Sequence, residues 1–117
     1  MRILLPWPPS VNNLYVNVGK ARRLTQRGKD YCELVAELLL EQGITKRFSK
    51  DRRLGIEITA WPPDKRIRDL DNLLKAPCDA MKKAKLYPDD SQFNHILIHK
   101  GGEVYDELIE LTLGEPR

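Results

Sequence analysis

Several features that mark particular protein classes are scarce or absent in this sequence. Cysteine occurs only twice, and Cys32 and Cys78 lie far apart and outside any CxxC pair, so we expect reduced thiols rather than a disulfide scaffold. The longest apolar run surrounds Leu38–Leu40 and is far too short to span a membrane. Prolines at positions 6, 8 and 9 interrupt the N-terminal apolar residues, where a signal peptide needs a longer apolar helix. We therefore expect no secretion and a cytoplasmic location.

The residues that are present are typical of one globular domain. The chain has 117 residues, of which 41% are hydrophobic and 32% are charged, and it contains no internal repeat. A domain of this length buries roughly 65% of its unfolded surface, which is enough for a core without disulfide support. The sequence predicts a single domain over residues 1–117.

The net charge of +3 is mild, but the charges are unevenly distributed. Residues 1–30 carry six basic side chains against one acidic one, and residues 46–53 carry five against one. Residues 101–117 carry five acidic side chains against one basic one. A basic front and an acidic tail indicate a polyanionic partner on one side of the molecule. On charge alone, solvated faces without a partner are an equally good interpretation.

The first half of the chain predicts a strand, a loop and a helix. Residues 2–5 form a short strand that the following prolines end, and the polar residues 10–24 are typical of a loop. Apolar residues then recur at Tyr31, Val35 and Leu39, which is one face of a helix. With Thr25 as its N-cap and Gly43 just after its end, this helix spans about residues 26–42.

The second half predicts strand, helix, strand and strand. Residues 54–61 and 93–100 are typical of strands, residues 72–84 of a helix that Pro77 disturbs, and residues 104–113 of a last strand. Gly101–Gly102 favours a hairpin turn between the last two strands. The order β-α-β-α-β-β predicts an α/β or α+β domain, with a small sheet of about four strands and two main helices packed on it.

The densest chemistry lies in the segment RIRDLDNLLK, residues 66–75. In an extended segment, the carboxylates of Asp69 and Asp71 project to the same side, and Lys75 returns to Asp71 after one helical turn. A second acidic pair, Asp89–Asp90, follows the second helix and can come back to the same place. Three convergent carboxylates suit Mg²⁺, which takes oxygen ligands and substrate phosphates.

Such a site can activate water and stabilise the leaving oxygen of a phosphodiester, with a lysine supporting the charge on phosphorus. Lys65, Arg66 and Arg68 flank it and would attract the phosphates that carboxylates repel. A lone DxD pair is weak evidence, however. Asp71 as a helix cap and Asp89–Asp90 as a turn remain an alternative explanation of the same residues.

Four segments taken together resemble the RusA family of Holliday-junction resolvases, which are small endonucleases of bacteria and their prophages. The segments are LPWPPSVNNLY at 5–15, RDLDNLLKAPCDAM at 68–81, LYPDDSQ at 86–92 and KGG at 100–102. They occur in the family's order in a chain of the family's length. The resemblance implies a homodimer of α/β subunits with a mixed sheet.

The resemblance also implies an activity and its residues. The activity is Mg²⁺- or Mn²⁺-dependent cleavage of four-way DNA junctions by paired symmetric nicks, in recombination and repair. The family's catalytic and metal-binding aspartates fall on Asp69, Asp71 and Asp90, and its catalytic lysine on Lys75. Asn72 and Asp89 match supporting positions of the motifs.

Two points rest on physics as well as on the resemblance. Two matched incisions in a nearly two-fold symmetric junction need two active sites, which a C₂ dimer supplies with one interface. The surface that faces DNA must be basic, and we expect Arg22 and Arg23 of the N-terminal loop and Lys65, Arg66 and Arg68 to contribute to it. A less selective branched-DNA nuclease and a junction-binding protein that does not cleave are the alternative functions.

Overall fold

A mixed four-stranded sheet forms the centre of the computed structural model, which describes residues 1–103 and 105–116. The strands are β1 (Arg2–Pro6), β4 (Leu54–Trp61), β5 (Phe93–Lys100) and β6 (Leu108–Gly114), and their order in the sheet is β1-β6-β4-β5. Strand β6 runs antiparallel to both β1 and β4, whereas β5 runs parallel to β4. The α/β class, the two helices and the sheet of four strands are confirmed.

The two helices contact each other and lie over the apolar face of the sheet. Helix α1 spans Gln26–Glu41 and buries Tyr31, Val35 and Leu39, which is the predicted face. Thr25 caps it by accepting a hydrogen bond from the backbone N–H of Gly28, and Gly43 follows it with a φ of 72°. Helix α2 spans Lys75–Lys83 and connects β4 to β5 as the crossover of a βαβ unit.

The core lies between the helices and one face of the sheet. Strand β4 alternates as predicted, so that Ile56, Ile58 and Ala60 are buried while Glu57 and Thr59 on its other face are half-buried. The cluster continues onto the neighbouring strands and the helices, through Ile3, Leu5, Ile109, Leu111, Leu113 and Met81. Neither helix has both the length and the apolar character to cross a membrane, as far as the described residues extend.

The second predicted helix has a different start from the one expected. Residues 72–84 were expected to be continuous, but a 3₁₀ turn occupies Leu70–Leu73 and the α-helix begins only at Lys75. Pro77 therefore lies in the first turn of α2, where backbone N–H groups have no acceptor within the helix. This position explains how the helix tolerates a proline.

The prediction of a loop over residues 10–24 is wrong. After a 3₁₀ turn at Val11–Asn13, the chain forms an antiparallel hairpin of β2 (Tyr15–Val18) and β3 (Ala21–Leu24), separate from the main sheet. Its base lies close against α1, where a Cβ on Gly28 would come within 2.9 Å of the Leu14 carbonyl oxygen. The hairpin is otherwise largely exposed, which is why its residues lack the alternation of a buried strand.

The predicted Gly101–Gly102 hairpin is also wrong. Strands β5 and β6 do not pair with each other, since both flank β4. The predicted last strand, 104–113, includes Val104, which lies outside the described residues, and the observed strand starts at Leu108. Gly101 instead packs so closely against the Trp61 ring that a Cβ there would overlap it.

Candidate active site

Two of the predicted aspartates and the predicted lysine line one cavity of about 300 Å³, here called the acidic cavity. Asp71 reaches it from the 3₁₀ turn before α2, Lys75 from the first residue of α2, and Asp90 from the turn before β5. Phe93 and Ile96 of β5 form part of its apolar wall. Asp71, Lys75 and Asp90 therefore line one cavity although Asp90 is distant from the other two in the sequence, which agrees with the prediction for these three residues.

Asp69 lies elsewhere. It lines a neighbouring cavity of about 310 Å³, together with Trp7, Ser10, Arg68 and Asn72. The expectation that Asp69 and Asp71 project to the same side assumed an extended segment, but Asp71 lies inside a 3₁₀ turn that begins directly after Asp69, and the two residues line different cavities. In the described ranges 1–103 and 105–116, no three His, Cys, Asp or Glu side chains come close enough together to form a metal site.

The alternative explanation of the acidic residues holds for Asp89–Asp90, which lie in a turn, but not for Asp71 as a helix cap. Asp89 caps the turn Asp90–Gln92 in a capping box. Its carboxylate accepts a hydrogen bond from the Ser91 backbone N–H, and the Gln92 side chain accepts one from the Asp89 backbone N–H. In the described part of the chain, neither Asp69 nor Asp71 uses its side chain as a helix cap. Asp71 is thus free to bind a ligand.

Asp90 carries a buried carboxylate oxygen. Its Oδ1 atom has no hydrogen-bond partner among the residues that the structure describes. A buried carboxylate oxygen without a partner costs free energy that a bound cation can offset. With Asp71 lining the same cavity, the donor set fits Mg²⁺, which often uses one or two carboxylates together with substrate phosphates.

The position of Asp90 depends on buried contacts that the sequence did not reveal. The buried Gln92 side chain donates to the carbonyl oxygens of Ser49 and Arg52, at 2.8 and 2.9 Å. The hydroxyl of Tyr87, which is fully buried, donates to the Cys78 carbonyl oxygen at 2.7 Å. These bonds hold the segment between α2 and β5 against the core and thereby place Asp90 over the cavity.

Lys75 pairs with a carboxylate that the sequence analysis did not single out. Its ammonium lies 3.3 Å from Asp79 one helical turn on, rather than being paired with Asp71. The Asp79 carboxylate also accepts a hydrogen bond of 2.6 Å from the Tyr15 hydroxyl. Asp79 thus connects the β2–β3 hairpin to the lysine of the acidic cavity.

The pKa of the Tyr15 hydroxyl is raised to about 12. The largest cause is the burial of the hydroxyl, and the hydrogen bond to Asp79 and the charge of Asp79 raise it further. The i,i+4 spacing of Lys75 and Asp79 on the predicted helix was the one sequence signal for this contact.

Replacing Asp79 with asparagine should change the titration of Tyr15. We expect its pKa to move part of the way from about 12 back towards 10.0, because the charge contribution disappears while the burial remains. The folded pKa lies above the ordinary value, so the stability linked to Tyr15 is present below pH 10.0 and is lost as the pH rises towards 12. Asp79→Asn should lose less stability over that range.

The measurement is an absorbance titration of tyrosinate in the wild type, in Asp79→Asn and in Tyr15→Phe. The last variant identifies which transition belongs to Tyr15. A Tyr15 transition at the same pH in Asp79→Asn and in the wild type would contradict the inferred hydrogen bond.

The predicted DNA-binding residues fall into two groups. Arg66 and Arg68 both pair with Asp64, at 3.1 and 2.8 Å, and these guanidinium groups hold the pKa of the Asp64 carboxyl well below its usual range. Part of their charge is therefore neutralised within the loop. Lys65 is exposed on the same loop.

The other group lies on the hairpin. Arg22 stacks on the Tyr15 ring, 4.5 Å from its centroid, and Arg23 is exposed next to it on β3. Because Tyr15 is bonded to Asp79, this places Arg22 on the side of the molecule that carries the acidic cavity. Asn72 is exposed in the turn Leu70–Leu73, beside Asp69.

The cysteine at the cavity is not a nucleophile. Cys78 is buried in α2, and burial raises the pKa of its thiol to about 12, so the reactive thiolate is absent at neutral pH. The acidic cavity therefore offers carboxylates, an ammonium and an apolar wall, which suits a phosphate ester attacked by water.

Comparison with known proteins finds relatives that are named as endodeoxyribonucleases. The family model described as "Endodeoxyribonuclease RusA" matches residues 6–113. The crossover junction endodeoxyribonuclease of Enterobacteria phage 82 is 34% identical over 113 residues, which cover 97% of this chain and 92% of that protein. The protein of that name from Escherichia coli (strain K12) matches with the same identity and coverage. The one from Enterobacteria phage HK97 is 34% identical over 103 residues, or 88% of this chain and 84% of that protein.

Proposed function

Since the chain belongs to the RusA family, we propose that it is a crossover junction endodeoxyribonuclease, which resolves Holliday junctions by paired nicks in recombination and repair. The observation that carries the proposal is the match to proteins of that name over nearly the whole length of both chains. Its relatives come from bacteria and phages, and we propose a bacterial or phage protein that acts on cytoplasmic DNA.

We propose that the reaction depends on Mg²⁺, with Mn²⁺ as a substitute. The support is the buried, unpartnered Oδ1 of Asp90 in the cavity that Asp71 also lines. When bound, the cation supplies Lewis-acid stabilisation of the phosphate and lowers the pKa of water. Asp71 and Asp90 would hold it, and Asp69 is proposed as a third ligand from the neighbouring cavity because the family resemblance implies that role.

The other residues of the cavity act on the substrate. The Lys75 ammonium stabilises the negative charge that develops on the scissile phosphate. Asp79 holds Lys75 in place as a positioning residue, since it is largely buried and bonded on two sides. Phe93 and Ile96 give the cavity an apolar wall.

We propose a homodimer as the active unit, because paired nicks require two cavities. The exposed outer strand β5 supports this proposal, since it pairs with β4 on one side only and presents Ile96 and Leu97, which are 47% and 39% exposed. Ile96 also lines the acidic cavity, so a second copy joined along β5 would lie next to the site. Sedimentation velocity tests the dimer, and a monomer at the concentration of full activity would refute it.

The function is tested on a four-way junction with a mobile core, labelled on each strand in turn. We expect paired symmetric nicks with Mg²⁺, none with EDTA, and none in a linear duplex of the same sequence. Equal cleavage of junction and duplex would favour a less selective nuclease. A shifted band without cleavage in Mg²⁺ or Mn²⁺ would leave a junction-binding protein and refute the proposed reaction.

A further inference from the structure

A basic groove of about 680 Å³ lies beside the acidic cavity, and the Asp79 side chain lines both. Its rim carries the cations Arg47, Lys82, Lys83 and Lys85, all of them exposed. None of the four was among the DNA-binding residues expected from the sequence. They come together only in the fold, because Arg47 lies between α1 and β4 whereas the lysines lie at the end of α2.

The four cations are available to a partner. Within residues 1–103 and 105–116, none of them forms an ion pair or a side-chain hydrogen bond. Arg66 and Arg68, by contrast, are both paired with Asp64. Asp79 is the one acidic residue that lines the basic groove, and Tyr15 and Lys75 already bind it. The groove therefore concentrates positive charge more effectively than the predicted loop does.

The floor of the groove has a different chemistry from its rim. Leu24, Phe48 and Tyr87, which are buried or half-buried, line it with apolar surface, and the exposed Pro88 adds to the lining of the groove. Cations above an apolar floor suit a sugar–phosphate backbone, in which charged phosphates alternate with deoxyribose rings that have apolar faces. A small anion would use the cations and leave the floor uncovered.

Helix stabilisation accounts for only part of the charge. Lys82 and Lys83 lie in the last turn of α2, where cations favourably meet the negative end of the helix dipole. Arg47 lies outside α2, so the helix dipole does not explain a cation at this position on the rim. Lys85 lies just after the helix with a φ of 66°, a left-handed conformation that favours glycine or asparagine. The backbone thus does not select lysine at position 85.

We propose that the basic groove binds the phosphodiester backbone of one DNA arm and leads it to the acidic cavity. The shared Asp79 makes the two sites contiguous, so a strand lying in the groove continues towards Lys75, Asp71 and Asp90. This inference rests on the proposed nuclease function, and it names the surface along which that enzyme holds its substrate.

The test compares two double variants that remove the same charge. Lys83→Gln/Lys85→Asn removes two of the four cations of the groove, and Arg27→Gln/Lys100→Gln removes two exposed cations outside it. Binding of a fluorescent four-way junction and of a linear duplex is measured by anisotropy in EDTA over a series of KCl concentrations. Asparagine suits the left-handed backbone at position 85, and glutamine at position 83 loses only the interaction of a lysine with the helix dipole. Thermal unfolding should therefore show at most a small loss of stability, too small to explain weaker binding.

We expect the slope of log Kd against log [KCl] to become shallower by about 2 in the groove variant, because each lost phosphate contact removes about one released counterion. The control variant should keep the wild-type slope. A groove variant that binds with the slope of the control overturns the inference, even if the wild type resolves junctions. If the wild type fails to cleave junctions in Mg²⁺ but the groove variant shows the shallower slope, the proposed function fails and the groove remains a DNA-binding surface.

Discussion

Asp71→Asn is expected to cleave a four-way junction at least about 10³-fold more slowly than the wild type while binding it equally well or more tightly. The rate loss corresponds to about 4 kcal/mol of transition-state free energy. It would arise because the amide cannot supply the negative oxygen that we propose as a ligand of the cation in the acidic cavity. Binding should not weaken, because the substitution removes a negative charge that faces DNA.

The assay measures single-turnover cleavage in Mg²⁺ and junction binding in EDTA. Asp51→Asn is the matched control, since Asp51 is an exposed aspartate outside the cavities described. Circular dichroism verifies folding. Cleavage by Asp71→Asn within about tenfold of the wild-type rate would contradict a metal-binding role for this residue.

Asp90→Asn is expected to abolish cleavage and also to change stability in a metal-dependent way. In EDTA the variant should be about as stable as the wild type, because an amide of the same shape replaces a carboxylate whose Oδ1 is buried without a partner among the described residues. Mg²⁺ at about ten times its Kd should stabilise the wild type by about 1.4 kcal/mol and the variant much less.

Thermal unfolding with and without Mg²⁺ measures this difference independently of activity. The neighbouring Asp89→Asn is the control, since Asp89 serves as a turn cap and asparagine is as good a cap. Asp89→Asn should keep the Mg²⁺ response. An equal Mg²⁺ response in Asp90→Asn and the wild type would show that the cation binds elsewhere.

The fold was predictable wherever local pattern and burial coincide. Strands 54–61 and 93–100 and helix α1 were predicted to within one residue, because alternation, helical periodicity and the Thr25 and Gly43 signals are properties of neighbouring residues. The β2–β3 hairpin was missed because its strands are mostly exposed and carry no such alternation. A long-range bond from Tyr15 to Asp79 ties it to the rest of the molecule.

The candidate site was predictable as a set of residue types but not as a geometry. The motifs named Asp71, Lys75 and Asp90, and the structure brings these three to one cavity. Asp69 lines another cavity because a 3₁₀ turn follows it, which the DxD spacing could not indicate. Asp79 and Gln92 were missed because their roles consist of contacts with residues distant in the sequence.

By itself, the sequence determined the α/β class, the family and the acidic residues from which a metal site can be built, since these are carried by local patterns and motifs. Only the tertiary structure decided which carboxylate serves as a cap, which cations are paired with a carboxylate and which have no such partner among the described residues. The physical reason is that charges act through space. Asp64 partly neutralises the charge of Arg68 in an ion pair. Arg47 and Lys83, by contrast, are 36 positions apart in the sequence and line one groove.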